Sequence, residues 1–443
     1  FLVGAPFGEK GGMFLGVPFA APPVGDLRWN DPIDVEPWRG QRAATSFAPA
    51  CMQGDYTTDW YAGVIEDFGS DRSLAARPVA ESEDCLYLNL WTPELKTGAD
   101  LPVMVWIHGG SYVVGAGDSP IFDTRPLCIE QDVVVVSVTY RLGLLGFLGG
   151  YRDRPANLGL LDIIEALRWV QKNISVFGGD ADNVTLFGES AGGDAIAHLM
   201  ISEGTEGLFH KAIIQSAPLG IRSDRHAMSE AMGKVASSID ETDSIDDLLK
   251  TQQKVIMTGN KFGLKGGMPF SPQYGHYPLP DEAGAEAAWE KRAKNVDVLI
   301  GYNKEETALF IYAMPTILKI SKLPLIGRLF KSAIVKRTTA KVYSDAIVEF
   351  AKRHSKAGGN AYRYHLTWGE NRDFLGACHT IDLPLLFGDW DTWKNARLIE
   401  DLPKDELIQN GKKVRHMWAS FARSGKLDGI SGTIPDVLTW TQA

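Results

Sequence analysis

The chain has 443 residues, a formal net charge of −10 at pH 7, 44% hydrophobic residues and 23% charged residues. These values are typical of a soluble globular protein with a large core, and the negative charge argues against nucleic acid as a partner. No apolar run approaches the ~18 residues of a membrane span, since DVVVVSVTY at 132–140 is only as long as a strand.

Short β-branched runs alternate with helical patterns along the chain. The strand-like runs are LPVMVWIHGG (101–110), DVVVVSVTYRLG (132–143), NVTLFGES (183–190), LFHKAIIQSA (208–217) and VDVLIGYN (296–303). The clearest helical period lies in LGLLDIIEALRWVQKNI (158–174), where apolar residues recur every three or four positions. This order predicts an α/β fold with a mostly parallel sheet covered by helices, in which ligands bind beyond the carboxyl ends of the strands.

The termini and the cysteines give little information about targeting or about the type of site. No signal-peptide pattern is visible at Phe1, where the chain opens in a hairpin-like stretch, and we expect a leader or first strand to have been removed. Four cysteines are too few for a disulfide scaffold, and no CxxC or HExxH pattern indicates a metal site. We therefore expect a site that needs neither a metal nor an organic cofactor.

The stretch NVTLFGESAGG (183–193) contains a G-x-S-x-G motif centred on Ser190. A strand precedes it and a helical pattern follows, which is the context of a nucleophile elbow. In such a turn the serine takes a strained backbone conformation, and the flanking glycines let strand and helix approach closely. The alternative is a glycine-rich turn with an incidental serine.

A nucleophilic serine needs a base, and in this fold the order along the chain is serine, acid, histidine. His365 lies in the alternating pattern AYRYHLTW and fits a sheet residue, whereas His379 lies in a loop before an apolar run and fits a catalytic base. Glu305 and Glu306 both follow the strand VDVLIG, so either could be the acid. The alternative for this glutamate pair is a solvated loop.

Seven motifs in order resemble the type-B carboxylesterase family, which includes carboxylesterases, cholinesterases, fungal lipases and the non-enzymatic neuroligins. They are PFAAPPVGDLRW (18–29), SEDCLYLN (82–89), VMVWIHGGS (103–111), TYRLGLLGFL (139–148), the stretch 157–193, GYNKEE (301–306) and CHTIDLPLLFG (378–388). The resemblance implies an α/β-hydrolase fold with N-terminal antiparallel strands, as one domain over 1–443. It also implies that the family pattern continues beyond Trp440.

The resemblance implies the roles of five acidic, basic or hydroxyl side chains. Ser190 is the nucleophile, His379 the general base and Glu306 the acid that orients the histidine. Here the family's G-x-N-x-D-E-G reads GYNKEET. Glu189 and Asp382 are expected to support these three residues within a buried polar network.

By the same resemblance, the oxyanion hole comes from the backbone N–H groups of Gly110, Ser111 and Ala191. Family members commonly carry Gly or Ala where this chain has Ser111. Because the donors are backbone groups, we expect catalysis to survive this change. Removing one oxyanion donor elsewhere costs about 10²–10³ in rate.

Cys51 and Cys85 match the family's first disulfide, and Trp60 and Tyr61 match a loop that walls the active-site gorge. An oxidised pair would place the protein outside the reducing cytosol. We therefore expect an extracytoplasmic (secreted or periplasmic) protein, with a cytoplasmic one as the alternative.

Two ion pairs are also implied, Arg28 with Glu83 and Arg141 with Asp162. We expect both pairs to be buried and to pin loops. Neither is expected to bind substrate.

One feature does not come from the family: residues 307–341 contain seven Lys or Arg residues and no Asp or Glu. Apolar residues interleave with them, which predicts short amphipathic helices with solvated lysines. As a cap or gorge-rim segment, it could instead dock on an anionic membrane or micelle surface, or attract anionic esters.

The sequence predicts a serine hydrolase that acts on small-molecule carboxylic esters through an acyl-enzyme. Its substrates could be bulky or anionic, such as toxin esters with tricarboxylate side arms. One alternative is a lipase with interfacial activation. An alternative from another class, a non-catalytic neuroligin-like binding module, is disfavoured because Ser190, Glu306 and His379 are all present.

Overall fold

The computed structural model describes residues 1–54, 80–323, 326–370, 372, 375–400 and 402–443. Strands in this part of the chain are β1 (Leu2–Val3), β2 (Ala5–Phe7), β3 (Gly11–Pro18), β4 (Arg42–Ala43), β5 (Ala50–Cys51), β6 (Glu81–Ser82), β7 (Tyr87–Thr92), β8 (Leu101–Ile107), β9 (Val134–Val138), β10 (Gly179–Glu189), β11 (Lys211–Gln215), β12 (Asp297–Asn303), β13 (Ala361–Leu366), β14 (Thr433–Ile434) and β15 (Leu438–Gln442).

One sheet of eleven of these strands has the order β14-β15-β13-β12-β11-β10-β8-β9-β7-β3-β2. The six strands from β13 to β9 are all parallel to their neighbours. Antiparallel strands flank them, with β7, β3 and β2 at one edge and β15 and β14 at the other. The structure therefore confirms a mostly parallel sheet with N-terminal antiparallel strands. The remaining strands form two short parallel pairs, β1 with β4 and β5 with β6.

The helices of the described residues lie between and after the strands. They are α1 (Arg125–Gln131), α2 (Gly143–Gly146), α3 (Leu158–Asn173), α4 (Ala191–Leu199), α5 (His226–Ala236), α6 (Ile245–Gly259), α7 (Glu282–Arg292), α8 (Pro315–Ser321), α9 (Gly327–Thr339), α10 (Asp345–Lys356), α11 (Leu383–Leu386), α12 (Trp390–Trp393) and α13 (Lys404–Ser424). A π-helical turn, Ala340–Ser344, joins α9 to α10, and a 3-10 segment, Glu306–Ala313, follows β12. None of these helices is long and apolar enough to cross a bilayer.

Strand β8 shows how the sheet is covered on both faces. Successive side chains of a strand point to opposite faces. Val103, Val105 and Ile107 belong to one hydrophobic cluster, whereas Met104 and Trp106 belong to another, and all five are fully buried. Buried residues of α3 join the first cluster and those of α13 join the second. The continuous apolar runs in the sequence thus correspond to strands between two helical layers.

The expected ion pairs are present and largely buried. Arg28 Nε lies 2.5 Å from Glu83 Oε1, and Arg141 Nη2 lies 2.7 Å from Asp162 Oδ1. The Arg28 guanidinium also donates to backbone carbonyls of the 241–243 loop, and that of Arg141 donates to Asn30 O. Each arginine therefore ties separate loops together, as expected.

The expected disulfide between Cys51 and Cys85 is wrong for this structure, in which all four cysteines are free and buried. A hydrogen bond with the Cys51 thiol, together with burial, raises the pKa of Cys85. Leu142 N–H donates to Cys51 Sγ at 3.3 Å. Hydrogen bonds thus accommodate the two sulfurs without a covalent bond. The extracytoplasmic location stays a prediction, and Trp60 and Tyr61 lie outside the described residues.

Parallel strands bring the candidate site residues to one edge of the sheet. Neighbouring strands β8, β10, β11 and β12 run in the same direction, so their carboxyl ends lie side by side. The loop at Gly110 follows β8, Ser190 follows β10, and Glu306 follows β12. This edge is where ligands bind in open α/β sheets.

Candidate active site

Ser190 occupies the turn between β10 and α4, with φ 57° and ψ −122°. Positive φ is unfavourable for a residue with a Cβ, so this turn stores strain. A Cβ on Gly192 would lie 2.0 Å from Ile107 O, and one on Gly188 would lie 2.6 Å from the same oxygen. Only glycine at both positions lets α4 pack this closely against β8. The local geometry is that of the predicted elbow.

His379 links Ser190 to Glu306. Its Nε2 lies 2.8 Å from Ser190 Oγ, and its Nδ1 lies 2.6 Å from Glu306 Oε2. When Nδ1–H donates to the carboxylate, Nε2 is left free to accept the serine proton. His379 is 3% exposed and Glu306 is fully buried, so water competes little for these hydrogen bonds.

The structure separates the two adjacent glutamates that the sequence left as alternatives. Glu306 Oε1 accepts the Asn303 N–H at 2.7 Å, which holds its other oxygen toward His379. Glu305 instead accepts the Ala377 N–H at 3.0 Å and donates its own N–H to Ala377 O at 2.9 Å. Glu305 therefore fixes the loop that carries His379, and Glu306 contacts the imidazole.

Glu189 is a third carboxylate beside the imidazole. Its Oε1 lies 3.2 Å from His379 Nε2 and has no hydrogen-bond partner in the part of the chain that the structure describes. Burial, reinforced by the charges of Asp382 and Glu306, raises the pKa of Glu189 to about 8. A proton on Glu189 removes one negative charge from beside Nε2 near neutral pH.

Opposing effects act on the imidazole of His379. Burial alone lowers its pKa, but the charges of Glu189 and Glu306 and the hydrogen bond that His379 donates to Glu306 outweigh that effect and raise the pKa to about 9. Because Glu189 and His379 interact directly, they titrate as a coupled pair. The imidazole can accept the serine proton only in its neutral form.

Three backbone N–H groups near Ser190 are available to a ligand. Within the described residues, no hydrogen bond uses the N–H groups of Gly110, Ser111 or Ala191. Ala191 is the first residue of α4, where N–H groups have no partner within the helix and the dipole favours an anion. Gly110 and Ser111 both have positive φ, and Gly110 O accepts the N–H groups of Val113 and Val114. These donors can stabilise a negatively charged oxygen.

Asp382 lies one layer behind the imidazole. It is fully buried, it accepts Gln215 Nε2 at 2.5 Å and Asn303 Nδ2 at 3.4 Å, and burial raises its pKa. Trp418 Nε1 in turn donates to Gln215 Oε1 at 3.1 Å. This network connects the strand end of β12 to the loop of His379.

Three contacts of the site were missed from the sequence. The rings of Phe310 and Tyr343 each lie 5.4 Å from the His379 ring, and Gln215 O accepts the Ser190 N–H at 2.9 Å. Gln215 ends the strand next to β10, which is a signal that could have found it. Phe310 and Tyr343 belong to helical segments within or just beyond the basic stretch, and no spacing pattern links them to His379.

No cluster of three or more His, Cys, Asp or Glu residues in the described ranges has an arrangement that could hold a metal ion. The described arrangement combines a hydroxyl, a base, an acid and backbone donors. These groups can together transfer a proton from the hydroxyl and stabilise an oxyanion.

Comparisons with known proteins show the family of this chain. Residues 7–325 match the family model for the carboxylesterase family. The probable N-octanoylanthranilate hydrolase AqdA2 of Rhodococcus erythropolis is 37% identical, over 80% of this chain and 79% of its own. The fumonisin B1 esterase of Sphingopyxis macrogoltabida is also 37% identical, over 68% of this chain and 54% of its own. The solved structure of a thermophilic PNB esterase has a TM-score of 0.80 and 30% identity, and covers 100% of this chain and 92% of its own.

Proposed function

This chain belongs to the carboxylesterase family and is a carboxylic ester hydrolase, and on that premise we propose that it forms an acyl-enzyme on Ser190. The observation that carries the proposal is the continuous hydrogen-bond chain from Glu306 through His379 to Ser190, with distances of 2.6 and 2.8 Å. A hydroxyl is a weak nucleophile near neutral pH, and this chain supplies the base that it needs.

In the first step, Ser190 Oγ attacks the ester carbonyl carbon while His379 Nε2 takes the hydroxyl proton. Glu306 holds the imidazole in the required tautomer and stabilises the imidazolium that forms. His379 then gives the proton to the leaving alcohol. In the second step, His379 takes a proton from water as the water oxygen attacks the acyl carbon. The bond between the acyl carbon and Ser190 Oγ then breaks, His379 returns the proton to Oγ, and the acid is released.

The carbonyl oxygen becomes negatively charged in both steps. We assign its stabilisation to the N–H groups of Gly110, Ser111 and Ala191, which are free of protein acceptors in the described structure. The side chain of Ser111 is not needed for this role, because the donor is its backbone N–H. Glu189 and Asp382 support the site without contacting the carbonyl.

The test uses a Ser190→Ala variant and a p-nitrophenyl ester. We expect turnover to fall by about 10⁴-fold or more, because the residues of such a site act as a unit. Ser216→Ala is a matched control, since Ser216 is a buried serine with φ 49° directly after the neighbouring strand β11. Mass spectrometry of the wild-type enzyme with a slowly deacylating ester should locate the acyl group on Ser190. Full activity of Ser190→Ala would overturn the proposal.

The choice of ester stays a prediction. The fumonisin B1 esterase relative and the formal charge of +7 over residues 307–341 support bulky or anionic esters, including tricarboxylate-type toxin esters. Values of kcat/KM for a neutral and a carboxylate-bearing ester of equal size test this idea across ionic strength. Attraction by the basic segment predicts that the preference for the anionic ester falls as salt rises, and a constant ratio would contradict it. Short-chain and long-chain esters, assayed below and above their solubility limits, distinguish an esterase from an interfacial lipase.

A further inference from the structure

Helix α9 and its flanking residues present a basic surface, which we define as Ile326, Arg328, Leu329, Lys336, Arg337 and Lys341. All six residues are exposed. Of the two aliphatic residues, Ile326 is 59% exposed and Leu329 is 73% exposed. Exposed leucine and isoleucine side chains beside cations, with no acid in residues 307–341, form an amphipathic and strongly basic patch.

The helical period places the apolar and basic groups on one side of α9. Leu329, Lys336 and Arg337 are seven and eight residues apart, so they share a face. A neighbouring face of the helix, at Val335 and Thr339, is buried against Thr307, whose Oγ1 donates to Val335 O at 3.2 Å. The helix is thus anchored to the loop after Glu306 by one face and presents the other to solvent.

We propose that the basic surface docks on bilayers that contain anionic lipid. The charge of the surface is complementary to that of anionic headgroups, and the two aliphatic side chains can insert at the boundary between headgroups and acyl chains. Two copies of the basic surface do not fit face to face, because surfaces of the same positive charge repel each other.

The basic surface lies on the same helix as a residue that contacts His379. Helix α9 continues through the turn Ala340–Ser344, and the Tyr343 ring within that turn lies 5.4 Å from the His379 ring. The same continuous helix therefore carries the basic surface and contacts the site. Docking would hold the site near esters that are dissolved in the membrane. This proposal does not depend on the acyl-enzyme mechanism.

The experiment is co-sedimentation of the full chain with vesicles of phosphatidylcholine alone or with 30% phosphatidylglycerol, at low and high salt. We expect binding only to the anionic vesicles, and we expect salt to weaken it. Each cation near such a surface contributes about fivefold in affinity, so Lys336→Glu with Arg337→Glu should weaken binding by about 30-fold or more. Leu329→Ser should weaken binding at both salt concentrations, because it removes an apolar contact.

Lys412→Glu with Lys413→Glu is the matched control, since both lysines are exposed on α13 outside the basic surface. Activity on a soluble neutral ester should be unchanged in all these variants. Wild-type protein that fails to bind anionic vesicles at low salt would overturn the proposal. So would equal loss of binding in the control variant, or gel-filtration evidence that Leu329 mediates self-association.

A separate observation concerns Tyr112 and Asp194, both fully buried. The Tyr112 hydroxyl donates to Asp194 Oδ2 at 2.8 Å. Tyr112 directly follows Ser111 and has φ 59°, while Asp194 lies one turn into α4 and donates its N–H to Ser190 O at 2.9 Å. This hydrogen bond therefore joins the loop of Gly110 to the helix that begins at Ala191.

We infer that Tyr112 and Asp194 are positioning residues. They keep the loop donors, Gly110 and Ser111, aligned with the donor at the start of α4, Ala191. Asp194 Oδ1 has no hydrogen-bond partner among the described residues, so the Tyr112 hydroxyl is important to this buried carboxylate. Without it, the loop and helix lose their direct side-chain link. The inference deepens the proposed function and rests on the proposed oxyanion donors.

Tyr112→Phe tests this role, and we expect kcat to fall about tenfold with KM within twofold of wild type. A loss of donor alignment should cost less than the loss of one whole donor, which is about 10²–10³. The affinity of a boronate transition-state analogue should fall in parallel with kcat. Asp194→Asn should retain most activity, because an amide oxygen can still accept the hydroxyl.

Tyr364→Phe is the matched control, because Tyr364 is fully buried and its hydroxyl has no hydrogen-bond partner in the described chain. An unchanged kcat in Tyr112→Phe would overturn the inference while leaving the acyl-enzyme proposal intact. Equal losses in Tyr112→Phe and Tyr364→Phe would also overturn it. Failure of the acyl-enzyme proposal would instead appear as full activity in Ser190→Ala.

Discussion

Glu306→Gln is the sharpest test of how the carboxylate controls His379. The side-chain amide has two orientations in this buried site. If its oxygen accepts the Asn303 N–H, which now donates to Glu306 Oε1 at 2.7 Å, its NH₂ group faces His379 Nδ1. That nitrogen must then act as an acceptor, which places the imidazole proton on Nε2, where it blocks proton transfer from Ser190.

In the other orientation the amide oxygen accepts the His379 Nδ1–H, which preserves the tautomer. The NH₂ group then faces the Asn303 N–H, so two donors meet without an acceptor. A buried unsatisfied donor costs about 1–3 kcal/mol, so this orientation is about 5-fold to 150-fold less populated. The variant also loses the charge that stabilises the imidazolium. We expect both effects together to lower kcat by a factor of about 10⁴. The corresponding Asp→Asn change in a Ser-His-Asp protease causes a loss of about this size.

Glu305→Gln is the matched control for this prediction. Its amide oxygen can still accept the Ala377 N–H, which now lies 3.0 Å from Glu305 Oε2, so we expect kcat within about threefold of wild type. The assay is steady-state hydrolysis of a p-nitrophenyl ester, with thermal unfolding to check that both variants are folded. The reasoning is refuted if Glu306→Gln stays within tenfold of wild type, or if both variants lose activity equally.

Three further predictions concern charge and packing. Glu189→Gln removes the charge that contributes most to raising the pKa of His379, so the imidazolium should lose its proton at lower pH. The acid limb of the pH profile of kcat/KM should therefore move toward lower pH. A move toward higher pH would contradict this effect of Glu189. Arg141→Met leaves Asp162 as an unpaired buried charge and should lower the free energy of unfolding by about 3–5 kcal/mol, which urea titration can measure. Gly192→Ala places a Cβ 2.0 Å from a carbonyl oxygen of β8, so we expect little folded protein at 37 °C, whereas a wild-type melting temperature would disprove the close packing.

The parts of the site that follow directly from strand ends could be predicted from the sequence. Ser190 follows a clear strand and precedes a helical pattern, and the structure places it in the expected turn. Glu305 and Glu306 could not be separated, because both follow the same strand and the choice depends on which way each leaves the backbone. The 3-10 segment begins at Glu306, and that turn directs its carboxylate to His379.

Other features depend on contacts that no local pattern encodes. Tyr112 and Asp194 are 82 residues apart, and they meet only because β8 and β10 are neighbours. The ring of Tyr343 reaches His379 from a helix that follows the basic segment. The state of Cys51 and Cys85 depends on the redox environment as well as on proximity, so a family pattern could not fix it.

Three carboxyl groups lie buried around one imidazole, and they differ in the hydrogen bonds that they accept. Hydrogen bonds to the charged form favour ionisation. Glu306 accepts from Asn303 N–H and from His379, and Asp382 accepts from two amide side chains. Glu189 Oε1 has no such donor in the described residues, and burial raises the pKa of Glu189 to about 8. Glu306 contacts the imidazole at Nδ1, on the opposite side of the ring from Glu189 at Nε2, and there it orients Nε2 to accept the Ser190 proton.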